Sequence, residues 1–184
     1  MSEIRCNENK LRELALYVAG TSVEDPTFGR TKLNKILFFS DFIAYGRWGK
    51  PITGATYFRL DRGPVARQLL SAQHDLEQKG DAVEVERKHF NRDQKRLLSL
   101  RDANLSEFSA DEIALVDSVV ESLRFYSATR VSDLSHDVAV GWQIADHGED
   151  IPYESVFIST DPLTPTDIKR GQELAAKHGW LADV

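Results

Sequence analysis

Phe28-Gly29-Arg30-Thr31-Lys32-Leu33-Asn34-Lys35-Ile36-Leu37-Phe38-Phe39, running on through Arg62-Gly63-Pro64-Val65-Ala66-Arg67, joins the densest apolar helical pattern in the chain to its densest positive charge. Leu33, Ile36, Leu37, Ser40 and Ala44 recur at helical spacing, so one face of a helix is apolar or small and packs inward. Phe38, Phe39 and Phe42 widen that stripe until little of the cylinder is left for water. Such a pattern predicts a central helix surrounded by others. Lys32, Lys35 and Asp41 fall off the stripe and are expected elsewhere on the cylinder.

Upstream, Asn7 or Asn9 can cap a first helix reaching about Gly20, with Leu11, Leu14, Ala15 and Val18 on one face. Residues 21–29 form a loop, after which Thr31 is placed to cap the central helix, which ends near Tyr45-Gly46. Gly46, Gly49, Pro51 and Gly54 then predict an irregular connection. Tyr57 to Leu60 is short and ambiguous. Asp61-Arg62-Gly63 reads as a turn that delivers Pro64 to the first position of a third helix, with Val65, Leu69, Ala72 and Leu76 inward and Lys79-Gly80 closing it. Val83–Phe90 and Lys95–Leu100, separated by Asn91-Arg92-Asp93, read as a hairpin. Helix, helix, hairpin is the order of a winged-helix unit.

The second half is helical. Ser109 with Glu112 is a capping box ahead of Ile113, Val116, Val119, Val120 and Leu123. A shorter helix about Thr129 to Ser135 follows, then one from His136 towards Ile151 that contains Trp142, then extended chain at Ile151-Pro152-Tyr153. Thr164-Pro165-Thr166-Asp167 opens a last helix, about 165–178. The expected fold is α+β and predominantly α-helical: a helical core with a small β-hairpin, winged-helix-like in its first half, with residues 1–184 as a single domain.

With 41% hydrophobic and 28% charged residues, the composition is that of a globular protein. No apolar run approaches the roughly 20 residues that cross a bilayer, so no membrane association is expected. Met1 to Lys10 is polar and charged, unlike a secretory signal, and the lone Cys6 suits a reducing compartment, so the expected location is cytoplasmic. The net charge of -6 hides a polarity: residues 30–67 hold eight Lys/Arg against two Asp/Glu, whereas residues 100–184 hold six against sixteen. Either the basic segment faces an anionic partner or the two parts pair on folding, and interspersed charge on most soluble surfaces favours pairing.

The residues offer little for catalysis. His74, His89, His136, His147 and His178 lack the tight spacing of metal ligands, so no metal is expected. Cys6 has no histidine near it in sequence, and Gly46, Gly49 and Gly54 do not form a phosphate-binding pattern. Neither an enzyme nor a cofactor is expected. Arg87, Lys88, Arg92, Lys95 and Arg96 in the hairpin, added to the basic segment, are what a phosphate-contacting wing would use, but Glu84, Glu86 and Asp93 dilute them, leaving at most weak duplex binding.

Lys32-Leu33-Asn34-Lys35-Ile36-Leu37-Phe38-Phe39, Tyr45-Gly46, Pro51-Ile52-Thr53-Gly54-Ala55 and Gly63-Pro64-Val65, with Leu134-Ser135-His136 and Trp142 much further on, resemble the Panacea domain family, the SocA-like antitoxins. The likeness spans about residues 10–160 and carries Lys32, Leu33, Lys35, Leu37, Phe38, Gly54, Gly63, Pro64, Leu134, Ser135, His136 and Trp142 as motif positions. It departs where Gly141 stands for a proline usual before the tryptophan, and where Ala66 stands for another. The resemblance implies that Leu134-Ser135-His136 caps a helix beside Trp142, with His136 satisfying a buried backbone group. It also implies a non-enzymatic antitoxin that binds and neutralises a protein toxin encoded nearby. Tyr45, Trp48, Tyr57 and Phe58, clustered about a glycine-rich connection too polar to bury them all, are the expected anchors for that partner, with Arg59 and Arg62 beside them. Two other readings are a winged-helix DNA-binding regulator and a phage or host-protein adaptor using the same surface.

Overall fold

A computed structural model describes residues 4–89, 92–159 and 161–179. These residues form seven α-helices and two antiparallel hairpins: α1 (Glu8–Thr21), α2 (Arg30–Trp48), β1 (Tyr57–Leu60), β2 (Gly63–Ala66), α3 (Leu69–Gln78), β3 (Ala82–His89), β4 (Arg92–Ser99), α4 (Ala110–Leu123), α5 (Ala128–Val138), α6 (Val140–Ile144) and α7 (Pro165–His178). A 3-10 turn covers Tyr153–Phe157. The fold is therefore α+β and predominantly helical, with two small hairpins where one was expected.

Asn7 is the cap of α1, its side chain accepting from the Lys10 amide at 3.0 Å. At α2 the cap is Gly29 and not Thr31, which sits inside the first turn. β4 passes close to the cap: a Cβ on Gly29 would lie 3.0 Å from the Lys95 carbonyl oxygen and crowd it. α2 also runs through Gly46 to Trp48 and stops at Gly49, whose left-handed φ of 70° lets its amide close on the Tyr45 carbonyl.

Pro64 does not open a helix. It pairs with Arg59 in a hairpin whose register runs from Tyr57–Ala66 to Leu60–Gly63, and α3 begins only at Leu69. The other edge of β1 is taken by residues 148–151, through the Gly148 amide to the Arg59 carbonyl and the Ile151 amide to the Tyr57 carbonyl. Ala66 can replace a proline because its amide is used, donating to Asn34 Oδ1 at 3.3 Å. In the second hairpin His89 pairs with Arg92, so Arg92 and Asp93 belong to a strand and not to the expected Asn91-Arg92-Asp93 turn; Phe90 and Asn91 lie outside the described residues.

α2 is the centre, packed against α1, α4, α5, β2, β4 and the 3-10 turn. α2 is enclosed along most of its length, and Lys32, Lys35 and Asp41, expected elsewhere on the cylinder than the apolar stripe, are buried. Each must find partners in the interior. Lys32 Nζ pairs with Asp25 and donates to Thr27 Oγ1 at 3.0 Å and the Arg124 carbonyl at 3.1 Å. Asp41 accepts from the Thr53 amide at 2.7 Å, the Thr53 hydroxyl at 2.5 Å and the Tyr57 hydroxyl at 2.8 Å, yet burial still raises its carboxyl above the usual range.

α4 starts at the expected Ser109–Glu112 capping box, although Leu115 and not Ile113 completes the buried face. α5 and α6 meet at Ala139, where the backbone leaves the helical region, so the expected helix from His136 towards Ile151 is a five-residue turn of helix after a corner. α7 opens at the expected Thr164-Pro165-Thr166-Asp167, where Thr164 and Asp167 form a capping box, and it ends on left-handed Gly179. None of its residues is buried.

Candidate partner-binding site

The distant motif residues meet at the β1–β2 turn. Lys35 Nζ donates to the Pro64 carbonyl at 3.0 Å, and a Cβ on Gly63 would lie 2.6 Å from Ser135 Oγ and 2.7 Å from Lys35 Nζ. Only glycine fits, on space and on its φ of 97°. Ser132 Oγ donates to the Arg62 carbonyl at 2.5 Å, and Ser135 Oγ to the Ser132 carbonyl at 2.7 Å. The His136 ring stacks on Trp142 with centroids 3.9 Å apart and planes 6° apart, while Trp142 Nε1 donates to the Leu60 carbonyl at 2.9 Å. Arg59 lies over the Trp142 ring and donates to the Ala145 carbonyl.

Burial sets the electrostatics of this cluster. With no carboxylate beside it, the Lys35 ammonium is pushed down to about 7 by desolvation. His136 is also lowered, first by burial and then by Lys35, although the Arg62 backbone beside it favours its protonated form. Its Nε2 is buried without a hydrogen-bond partner. Lys35 and Ser135 are buried while His136 and Trp142 are half-buried, and the cluster's effect is positional: it pins the α5–α6 corner onto the first hairpin.

On its opposite side that corner walls an apolar groove of about 400 Å³. α2 supplies Phe39, Ile43 and Arg47; α4 supplies Leu115, Ser118, Val119 and Ser122; the corner supplies Leu134, Val138 and Val140; Val156 and Ile158 close the far wall. Gly141 fixes the spacing between the corner and the 3-10 turn, since a Cβ there would lie 2.2 Å from Ser155 Oγ and 2.6 Å from Ser155 Cβ. Glycine replaces proline here because the two segments touch. The groove continues into a more polar hollow formed by Arg47, Trp48, Asp111, Ala114, Leu115 and Ser118.

The anchors expected from sequence divide. Trp48 is 39% exposed and stands at the polar end of the groove. Tyr57 is 1% exposed, with its ring 5.4 Å from Phe38 and its hydroxyl on Asp41, so it is a core residue and not a surface anchor. Tyr45 is likewise buried, donating to Glu154 Oε1 at 3.0 Å. Phe58 is half-buried beneath the Arg67 guanidinium, and Phe58 and Arg59 belong to β1, away from the groove; Arg62 is exposed at the turn. Sequence reading missed Phe39, Ile43, Leu134 and Val138 as surface-lining residues. The available signal was that α2 has apolar residues all round, which serves a buried helix and a grooved one alike.

The family model for the antitoxin SocA-like Panacea domain matches residues 33–143. The chain belongs to that family. Comparison with curated proteins and with solved structures finds no match. The matched Panacea span opens in α2 and closes beside Trp142, so it holds the whole Lys35–Gly63–Ser135–His136 cluster and three walls of the groove. The 3-10 turn and α7 lie beyond it. Among the described residues no group of three or more His, Cys, Asp or Glu could hold a metal, and no helix is long and apolar enough to cross a membrane.

Proposed function

We propose that this Panacea-domain protein is an antitoxin that neutralises a protein toxin by direct contact, with the groove between α2, α4 and the α5–α6 corner receiving an apolar segment of the toxin. The observation that carries this reading is the groove itself. It is apolar, open to solvent, and walled by the elements that the family's motif residues lock together. Its polar end offers Trp48 and Arg47, the residue types in which interfaces concentrate binding energy. Masking the toxin's working surface needs no chemistry from the antitoxin.

Co-expression with the toxin encoded beside it tests the reading. Val138→Asp and Ile43→Asp place a charge in the groove and are expected to abolish rescue, while circular dichroism and thermal melts report a retained fold. Trp48→Ala is expected to weaken rescue by roughly 2 kcal/mol of binding. Folded groove variants that rescue as well as the wild type would move the toxin-binding face elsewhere.

A further inference from the structure

We infer that α7 is a ligand of its own chain's groove: residues 163–178 fold back so that Leu163, Ile168, Leu174 and Ala175 pack between α2 and α4. In this docked state α7 competes with the toxin. The competition rests on the function proposed above; the docking does not.

None of the residues of α7 is buried. α7 has a capping box, a proline at its first position and a left-handed glycine at its end, so its local sequence is committed to helix. An isolated helix of 14 residues is nonetheless marginal in water, and helices of this length draw most of their stability from packing an apolar face. That face exists and is uncovered: Ile168 is 47% exposed, Leu174 42% and Leu163 71%. The structure holds α7 outside the groove, and the groove is an apolar hollow with room for such a face.

The tether selects the chain's own helix over a second copy. Val156 and Ile158 are groove walls, and α7 starts at Pro165. Seven residues reach at most about 25 Å, so α7 is leashed to the rim of the groove. A short leash sets an effective concentration in the millimolar range, far above that of another copy in solution.

Cysteine cross-linking in the full-length chain tests the docking, with Cys6→Ser as background. Ser122→Cys in the groove is paired with Ala175→Cys on the apolar face of α7, and in a control with Lys169→Cys on its polar face. Under mild oxidation the first pair is expected to close within one chain, at a rate independent of protein concentration and roughly tenfold or more above the control. Equal rates for the two pairs, or disulfide dimers whose yield rises with concentration, overturn the inference. Leu174→Asp reports on competition: it is expected to lower, several-fold, the antitoxin dose that rescues cells from toxin. An unchanged dose alongside a face-specific cross-link overturns the competition and retains the docking. Failure of every form to rescue overturns only the antitoxin reading.

Discussion

Lys32 and Lys35, three residues apart on α2, are both buried but differently matched. Lys32 has the Asp25 carboxylate and two further acceptors, so Lys32→Ala leaves a buried carboxylate without its cation and is expected to cost about 3 to 5 kcal/mol, read from denaturant midpoints. Lys35 has a single carbonyl, and its ammonium is lowered from 10.5 to about 7. A lysine whose folded value is depressed leaves the unfolded chain holding more protons between those two values. Stability therefore rises with pH from about 7 towards 10.5, and the full cost of burying the charge is present below 7. Lys35→Met is expected to flatten that rise, which unfolding curves at pH 6 and pH 9 would show; an unaltered pH dependence would place the titration elsewhere. None of this was visible in the periodicity, which reported an apolar face but not that charged residues off that face would also be enclosed. At Tyr57 the same blindness made a core residue look like an anchor.

The elements that were legible are those whose termini are written in local chemistry. Ser109–Glu112 and Thr164–Asp167 announce α4 and α7 through caps that need only neighbouring residues. β1–β2 was not legible, because two four-residue strands carry too little alternation, and a proline after a turn reads equally well as a helix start. The α5–α6 corner was misread as continuous helix because its break at Ala139 is imposed by tertiary contacts: Trp142 on the Leu60 carbonyl, and Gly141 against Ser155. Gly141→Ala tests that contact. The added methyl must displace the Ser155 and Ile151 side chains, at an expected cost of about 1 to 3 kcal/mol. Rescue should fall with it, since Val156 and Ile158 move with that turn. Adding Ser155→Gly removes two of the three atoms that the methyl would meet, leaving Ile151 Cγ2 at 2.7 Å, and is expected to recover part of the lost melting temperature; no recovery would assign the cost to the Ile151 contact or to the Gly141 backbone.

Across the whole molecule, the charge polarity of the sequence is largely consumed in folding. In the basic segment, Lys32 pairs with Asp25, Arg30 with Glu84 and Arg67 with Asp150, while Lys35 and Arg59 are held by carbonyl oxygens. In the second hairpin, Lys95 lies between Glu84 and Glu86, and Arg96 is buried on the carbonyls of Ser22, Val23 and Asp25. Of the cations that a duplex-binding face would recruit, Arg47, Lys50, Arg62, Arg87 and Lys88 make no ion pair among the described residues. They sit on separate elements: the end of α2 and the residues after it, the first hairpin turn, and β3. A protein that engages DNA loses affinity with salt by a slope of about 0.9 per phosphate neutralised. So scattered a set is expected to give weak, sequence-independent binding with a shallow slope, measured by fluorescence anisotropy of a labelled duplex between low and physiological salt. Arg47 should act instead on the protein partner. At the mouth of the groove it is a rim charge, and rim charges change association rates more than complex lifetimes. Arg47→Glu is expected to slow toxin association and blunt its salt dependence while leaving dissociation nearly unchanged. Tight, sequence-specific duplex binding at physiological salt, abolished by the same substitution, would transfer the role of this face from toxin to DNA.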